Sequence, residues 1–130
     1  MSTLSVSTVS SVATIKSSSG SVPDVQNSSG TEVGFFIRAW ASFNGSSFSL
    51  LKSGGVSSMS DEGEGQYRVN FTTAFADTNY CMVEGTSNTD TSPRMCTQVN
   101  KTTSLYQFKT RSDSNALNDA QFGQIAFIDS

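Results

Sequence analysis

Hydrophobic and polar residues alternate along most of this chain, and the clearest alternation lies between Val33 and Phe71. Within residues 33–43, one set of alternate positions is apolar: Val33, Phe35, Ile37, Ala39, Ala41 and Phe43. Successive side chains of a β-strand point to opposite faces, so this spacing predicts one strand with that set in the core. The opposite set includes Phe36 and Trp40, whose large rings need cover from a second sheet or from a neighbouring subunit.

The rest of the chain repeats this pattern in shorter pieces. In residues 66–72, Tyr67, Val69 and Phe71 are expected to point inward. Further strands are predicted at residues 47–51, 56–59, 80–84, 94–99, 105–110 and 122–128. Turns and loops are predicted at residues 52–55, 61–65, 76–79, 85–93, 100–103 and 111–119. The spacing predicts an all-β fold, an antiparallel β-sandwich of jelly-roll-like type.

One turn carries a specific signal. Asn44-Gly45 follows the first strand, and both residue types accept the positive φ angles of two-residue hairpin loops. This dipeptide therefore predicts a tight hairpin between the first strand and the next one.

Residues 1–32 differ from the remainder and are predicted to form an extended N-terminal arm and linker, ahead of a sandwich domain at residues 33–130. The arm's apolar positions are Leu4, Val6, Val9, Val12 and Ile15. They are too few to form a core, so the arm needs a surface on which to dock. Its own sheet, copies of itself and a larger assembly all remain candidates. Residues 17–32 are rich in Ser, Gly and Asn, which is typical of a linker.

The run IRAWASFNG at residues 37–45, followed by residues 55–80, resembles a module of tail-fibre and other virion structural proteins of tailed bacteriophages, particularly marine ones. The matching positions are Arg38, Ala39, Trp40, Phe43, Asn44, Gly45, Val56, Ser57, Ser58, Asp61, Gly63, Gly65, Tyr67, Val69, Asn70, Phe71, Thr72, Thr73, Ala74, Asp77, Asn79 and Tyr80. The chain departs from this family at residues 61–65, which are acidic here and are uncharged or Asn-Gly turns there. The departure alters surface charge and leaves the turn in place.

The resemblance implies a tail-fibre or tail-tip component of the virion, assembled in the host cytoplasm. It implies a homotrimer that joins other virion proteins through residues 1–32 and contacts the host surface, where a glycan is a candidate partner. The alternative is a capsid decoration or head-fibre protein. Phe36 and Trp40 are the candidate subunit interface, since a tryptophan inside a strand more often packs than stacks on a sugar.

The longest polar segments, residues 85–93 and 111–119, are the candidate host-contact loops, because recognition often lies on loops of a rigid scaffold. Their candidate binding residues are Asn88, Asp90, Arg94, Arg111, Asp113 and Asn115. Amide, carboxylate and guanidinium groups bond sugar hydroxyls without needing a deep pocket. The other interpretation is that these loops are simply solvated connections.

Net charge and residue usage limit the classes of function that are expected for this chain. The net charge of -3 provides no basic footprint, so no nucleic-acid partner is expected. The chain has no His, which removes the common nucleophile systems and the commonest transition-metal ligand. We expect no enzyme, no metal and no cofactor. A polysaccharide-degrading enzyme is a weak alternative, because no two carboxylates stand out as a catalytic pair. Calcium at residues 61–64 is not expected either, since the ligand spacing of a dedicated loop is missing.

The sequence also bears on membrane insertion and on the state of the two cysteines. No apolar stretch approaches the roughly 20 residues that span a bilayer, and the first residues lack the features of a signal peptide. Membrane insertion is therefore not expected. Cys81 and Cys96 are expected to be free, half-buried thiols, because disulfides are rare in the cytosol. A hairpin across residues 85–93 could still place the two cysteines opposite each other.

Overall fold

The computed structural model describes residues 25–89 and 92–128. The chain divides into two units, Met1–Gly34 and Phe35–Ser130, of which the first is described from Val25 onward. There, strands β1 (Val25–Gln26) and β2 (Glu32–Gly34) pair antiparallel. The side-chain oxygen of Asn27 shapes the turn between them by accepting the backbone N–H groups of Ser29 and Thr31 at 2.9 and 3.0 Å.

The sequence analysis assigned residues 17–32 to a linker, and this hairpin lies in the described part of that segment and the two residues after it. A short Asx turn can nucleate strand pairing in a segment whose composition is otherwise typical of a linker. The predicted arm positions Leu4, Val6, Val9, Val12 and Ile15 lie outside the described residues.

The second unit contains the remaining strands: β3 (Ile37–Asn44), β4 (Ser49–Gly54), β5 (Val56–Gly63), β6 (Gln66–Phe71), β7 (Cys81–Thr89), β8 (Ser92–Pro93), β9 (Met95–Lys101), β10 (Leu105–Arg111) and β11 (Phe122–Ile128). They form two antiparallel sheets. The front sheet has the order β5-β6-β10-β9, and the back sheet has the order β4-β3-β11-β7-β8. The predicted all-β sandwich is confirmed. Among the described residues, no helix is long and apolar enough to cross a membrane.

Aromatic side chains from both sheets fill the core. The rings of Phe43 and Tyr67 lie 5.2 Å apart across the two sheets, and those of Phe71 and Phe127 lie 4.8 Å apart. Tyr67, Val69 and Phe71 are all buried, as the alternation predicted. The strand prediction for residues 122–128 is also correct to the residue.

The predicted first strand is wrong at its start. β3 begins at Ile37, and Phe35 and Ile37 are 57% and 59% exposed where the pattern placed them in the core. Ala39 pairs with Phe127 while Ile37 pairs with Ile128, so β3 contains one extra residue at this point. Such a bulge reverses the facing of the side chains beyond it. Ile37 therefore lies on the outer face of the back sheet.

The Asn44-Gly45 turn also differs from the two-residue hairpin predicted for it. β3 ends at Asn44 and β4 begins at Ser49, which leaves four residues between them. The Asn44 side-chain oxygen accepts the backbone N–H of Ser47 at 3.1 Å, and the positive φ falls on Phe48, at 28°. Glycine is needed at position 45 for space, because a Cβ there would collide with the Tyr67 hydroxyl.

Several connections are shorter than predicted, since strand pairing extends into polar residues. β4 continues to Gly54, and a single residue, Gly55, links it to β5. Gly55 has a φ of 67°, and a Cβ there would collide with the Arg38 carbonyl oxygen. The segment 85–93, predicted as a loop, is mostly strand, because β7 pairs with β11 as far as Ser87 and with β8 as far as Thr89. β5 likewise runs on to Gly63, into the acidic segment.

The predicted corner at residues 76–79 is confirmed. The Asp77 carboxylate accepts the backbone N–H of Asn79 at 2.6 Å. Just after the corner, Tyr80 is buried and its hydroxyl donates to the carbonyl oxygen of Thr102 at 2.9 Å. The corner thus carries the chain from the front sheet to the back sheet with a ring anchored in the core.

We expect Phe71→Ala to lower the free energy of unfolding by about 3–5 kcal/mol, because it removes a ring that contacts Phe75, Tyr80 and Phe127 and leaves a cavity. Urea denaturation measures this loss. The matched control is Phe35→Ala, which truncates an exposed ring and should cost less than about 0.5 kcal/mol. Equal losses in the two variants would contradict the assigned core.

Candidate functional site

The outer face of the back sheet contains a groove, here called the outer groove. Its floor and rim include Ile37, Trp40, Val83, Gly85, Gln124 and Ala126. The groove has a volume of about 590 Å³ and is open to solvent along the sheet. A concave, mainly apolar surface with few polar groups is the usual form of a binding site. The outer groove is therefore the candidate functional site.

The backbone explains why the groove forms at this position. The β3 bulge turns Ile37 outward, while Trp40 lies between Ala126 of β11 and Gly54 of β4, its two cross-strand partners. A Cβ at Gly54 would lie 2.5 Å from the indole nitrogen, so the indole covers this glycine closely. Ala126 and Gly85 are small, and the space above Gly85 is empty. A large ring beside small residues thus produces a depression in the sheet surface.

Uncharged side chains dominate this face. Val83 and Ile37 are 58% and 59% exposed, and Trp40 is 36% exposed. Glu84 follows Val83 in β7, and its carboxylate accepts a hydrogen bond from the Thr86 hydroxyl at 3.3 Å. Trp40 therefore faces outward as the sequence predicted, whereas Phe36 precedes β3 and is half-buried.

The outer face of the front sheet is more polar, although Met95 and Val99 of β9 are exposed there. Arg68 and Glu62 form an ion pair at 3.1 Å, and Ser60 donates to the same carboxylate at 2.7 Å. The acidic segment after Ser60 thus forms part of a hairpin, in which the Asp61 side chain accepts the backbone N–H of Gly63 at 2.9 Å. Within the described ranges, no cluster of three or more His, Cys, Asp or Glu residues could hold a metal ion.

The first set of predicted host-contact residues is partly used inside the fold. The Arg94 guanidinium donates to the carbonyl oxygen of Asp119 at 3.3 Å and to the side-chain oxygen of Asn118 at 3.1 Å. Asn88 is half-buried in β7. Asp90 lies outside the described residues. Arg94 therefore joins the two predicted loops to each other.

The second set lies at the end of β10, where Arg111 is half-buried, and on the exposed turn that follows it. Arg111 donates to the carbonyl oxygen of Asn115 at 2.8 Å, and the Asp113 carboxylate accepts the backbone N–H of Ser114 at 2.8 Å. Asn115 has a φ of 64°, a left-handed conformation that Asn tolerates better than most residues. Asp113, Ser114 and Asn115 are exposed.

A buried polar network centred on Asp119 was missed by the sequence analysis. Its carboxylate accepts the backbone N–H of Gly65 at 2.7 Å and the Tyr67 hydroxyl at 3.0 Å. The Tyr67 oxygen in turn accepts the backbone N–H of Ala120 at 3.2 Å. Burial raises the pKa of Tyr67 well above its usual range. Asp119 is distant from Gly65 and Tyr67 along the chain, and nothing in the local pattern indicates the contact.

The two cysteines occupy different sheets. Cys81 is exposed in β7 of the back sheet, and Cys96 is half-buried in β9 of the front sheet. Both are free, as predicted, but Cys81 is exposed where a half-buried thiol was expected. The two cysteines do not face each other across a hairpin. Burial, with Glu84 nearby, raises the pKa of Cys96 to about 12. Its thiol is therefore protonated and unreactive at neutral pH.

Comparison with known proteins finds one partial likeness. No protein-family model matches the chain, and no curated protein matches it. Among solved structures it is similar to the phiAB6 tailspike, solved in complex with three-repeated oligosaccharides of Acinetobacter baumannii surface polysaccharide. The TM-score is 0.44 and the identity is 19%, over 88% of this chain and 30% of the tailspike chain. The chain thus spans less than a third of the tailspike, and the likeness in geometry is partial.

We expect Asp119→Ala to lower the free energy of unfolding by about 1–3 kcal/mol, because it leaves the Gly65 N–H and the Tyr67 hydroxyl without their acceptor. Asp113→Ala is the matched control. It removes an exposed carboxylate whose acceptor role is local, and it should cost less than about 1 kcal/mol. The free energies of unfolding of the two variants are compared by urea denaturation. If Asp113→Ala lowers this free energy as much as Asp119→Ala does, the network has no special role in stability.

Stability should fall in alkaline solution. The pKa of Cys96 is raised from 9.0 to about 12 and that of Tyr106 from 10.0 to about 12, in both cases chiefly by burial. A raised folded-state pKa means that the folded protein holds its proton more tightly, so this stabilisation is complete below about pH 9 and is lost as the pH rises towards 12. Urea midpoints measured across this range should decrease steadily.

The cysteine contribution can be separated by substitution. Cys96→Ala should flatten the first part of this decrease, above about pH 9. If Cys96→Ala and the wild type lose stability in parallel, the buried thiol has no part in the pH dependence.

Proposed function

We propose that this chain is a structural protein of a tailed-phage virion, and specifically a tail-fibre or tail-tip component. The observation that carries the proposal is the sequence resemblance between positions 38 and 80. Four of the matching positions, Phe43, Tyr67, Phe71 and Tyr80, are large rings buried in the sandwich core. A match at buried positions supports a shared architecture better than a match in solvent-exposed polar residues would.

The proposed protein acts through its surfaces and is not an enzyme. In support, the chain has no His, and several carboxylates have structural partners in the fold. Asp77 accepts a backbone N–H in the corner, Glu62 is paired with Arg68, and Asp119 holds Gly65. A polysaccharide-degrading activity is the weaker alternative, and no cofactor or metal is proposed.

Host contact is proposed for the exposed turn at residues 112–116. It presents a carboxylate and an amide, from Asp113 and Asn115, on a rigid scaffold. These groups suit the hydroxyls of a host-surface glycan. Weak single sites can still hold a particle when copies are repeated, because linked sites raise the effective concentration. Arg94 is a less suitable contact, since its guanidinium is engaged with Asn118 and Asp119.

We further propose that copies assemble into a closed homotrimer and attach to other virion proteins through residues 1–32. The exposed rings on the back sheet support assembly, because large apolar side chains at a surface favour protein contacts. A capsid decoration or head-fibre protein is the second candidate. It would use the same sandwich and the same assembly, and only its place on the particle would differ.

Antibody labelling of intact virions tests the proposed function. Gold-conjugated antibody raised against the purified protein should label the tail tip or the fibres in electron micrographs of the phage that encodes the chain. Labelling spread over the head would favour the decoration protein. Purified virions that carry no label, while the antibody detects the protein in the infected-cell lysate, would contradict both virion roles.

A further inference from the structure

The outer groove exposes apolar side chains from neighbouring strands of the back sheet. We propose that a second copy of this chain docks on this outer face, with Ile37, Trp40 and Val83 at the centre of the contact. The inference deepens the proposed homotrimer and rests on it, because it names the surface through which the copies meet. It also assigns a role to Ile37, which the sequence pattern placed in the core.

The β3 bulge is the first argument. Without the extra residue opposite Phe127 and Ile128, Ile37 would point inward with Ala39. The bulge instead adds an aliphatic side chain, 59% exposed, to the same face as Trp40 and Val83. Bulges commonly redirect a side chain to a place where it is used. An apolar side chain that points into water contributes favourable free energy only when another surface covers it and removes it from water.

Charge is the second argument, and it favours a copy of the same chain. The outward positions of β3, β11 and β7 in the groove are Ile37, Trp40, Ser42, Val83, Gly85, Gln124 and Ala126, all uncharged. Lys52 of β4 pairs with Ser42 at the margin. In a closed trimer these uncharged positions of neighbouring copies meet around the three-fold axis without like-charge repulsion. Glu84, which also lines the groove, has its carboxylate bonded to the Thr86 hydroxyl.

The size of the face is sufficient for a specific contact. Four strands about 4.8 Å apart and about seven residues long at about 3.3 Å each give a face of roughly 19 by 23 Å. The accessible area of a surface covered by side chains exceeds this projection. The projection is about 440 Å², so covering the whole face approaches the lower end of specific interfaces, about 600 Å² per partner. Tryptophan at the centre of such a contact typically contributes more than its neighbours.

A sugar is the less suitable occupant of the same groove. The polar side chains among its lining residues are Ser42, Gln124 and Glu84, and the Glu84 carboxylate already accepts the Thr86 hydroxyl. Aliphatic Ile37 and Val83 form much of the rim. Sugar recognition depends on several hydrogen-bonding groups placed around a ring platform, and those groups lie mainly on the front sheet in this molecule. The apolar rim fits an equally apolar protein surface better.

The proposed contact is tested by comparing the same valine substitution on the two sheets. Val83 in the groove and Val99 in β9 are 58% and 51% exposed, so Val→Asp changes size and charge equally at both. In sedimentation equilibrium across a range of concentrations, the full-length wild type should self-associate. Val83→Asp should raise its dissociation constant by about 100-fold or more, because the new carboxylate would be buried unpaired. Val99→Asp should change it by less than about threefold.

A second measurement uses the wild type alone. Cys81 alternates with Val83 on the same face of β7, so docking should shield its thiol. Its alkylation rate should fall as the protein is concentrated, and dilution should restore it. Trp40 is the only tryptophan, so its fluorescence should change over the same concentration range. Circular dichroism establishes that each variant is folded, and Val83→Ser, with an expected weakening of about tenfold, replaces Val83→Asp if the latter unfolds.

The outcomes separate the alternatives. A wild type that stays monomeric with a constant Cys81 alkylation rate overturns the proposal, as does equal dissociation of Val83→Asp and Val99→Asp. A monomer whose Trp40 emission shifts on addition of polysaccharide from the host cell surface overturns it in favour of a glycan groove. If the protein is monomeric and the antibody still labels the virion, the proposed assembly and its interface are wrong and the virion role stands. If the protein self-associates and the antibody labels no virion, the virion role is wrong and the contact between copies stands.

Discussion

The layer of aromatic rings between the two sheets is the constraint on which the rest of the second unit depends. Phe43 of the back sheet contacts Tyr67 and Phe108 of the front sheet, with ring centroids 5.2 and 6.0 Å apart. Its ring also lies so close to Gly123 of β11 that any side chain there would collide with it. Ring size therefore determines which neighbouring positions must be glycine. It also brings the Tyr67 hydroxyl into the interior, where a polar atom must find partners. Asp119 and Ala120 supply them, and in doing so they hold the β10–β11 connection against the front-sheet hairpin.

The features that could be predicted are those that depend on local alternation. Tyr67, Val69 and Phe71 have an unbroken alternation, and each is buried as predicted. The features that could not be predicted depend on residues far apart in the chain. The bulge that exposes Ile37 exists only in the pairing of β3 with β11, and β7 continues through Gly85 to Ser87 because β11 lies beside it. A local pattern carries no information on pairing of this kind.

The candidate site likewise combines features that depend on local alternation with features that depend on distant residues. Trp40 was predicted to face outward because its place in the alternation is local. The groove around it was not predictable, since it combines the bulge with small residues from β7 and β11. The polar loops gave the opposite result. Composition suggested external contacts for Arg94 and Arg111, yet both guanidinium groups bond to oxygens of their own chain. Polar side chains near connections often satisfy backbone groups there, because a folded connection leaves many carbonyl oxygens unpaired.

The edges of the two sheets bear on how copies could meet. Each edge strand, β4, β5, β8 and β9, pairs with its neighbour through an irregular register. β8 is also only two residues long and ends in Pro93, which has no N–H to donate. Single residues, Gly55 and Arg94, connect the edge strands of one sheet to those of the other. Bulged, short and covalently tethered edges are poor templates for adding a strand from another chain. The sheet faces are therefore the better surfaces for the contacts between copies that we propose. Of the two outer faces, the front one is polar and internally bonded, which leaves the apolar back face as the surface that gains most from being covered.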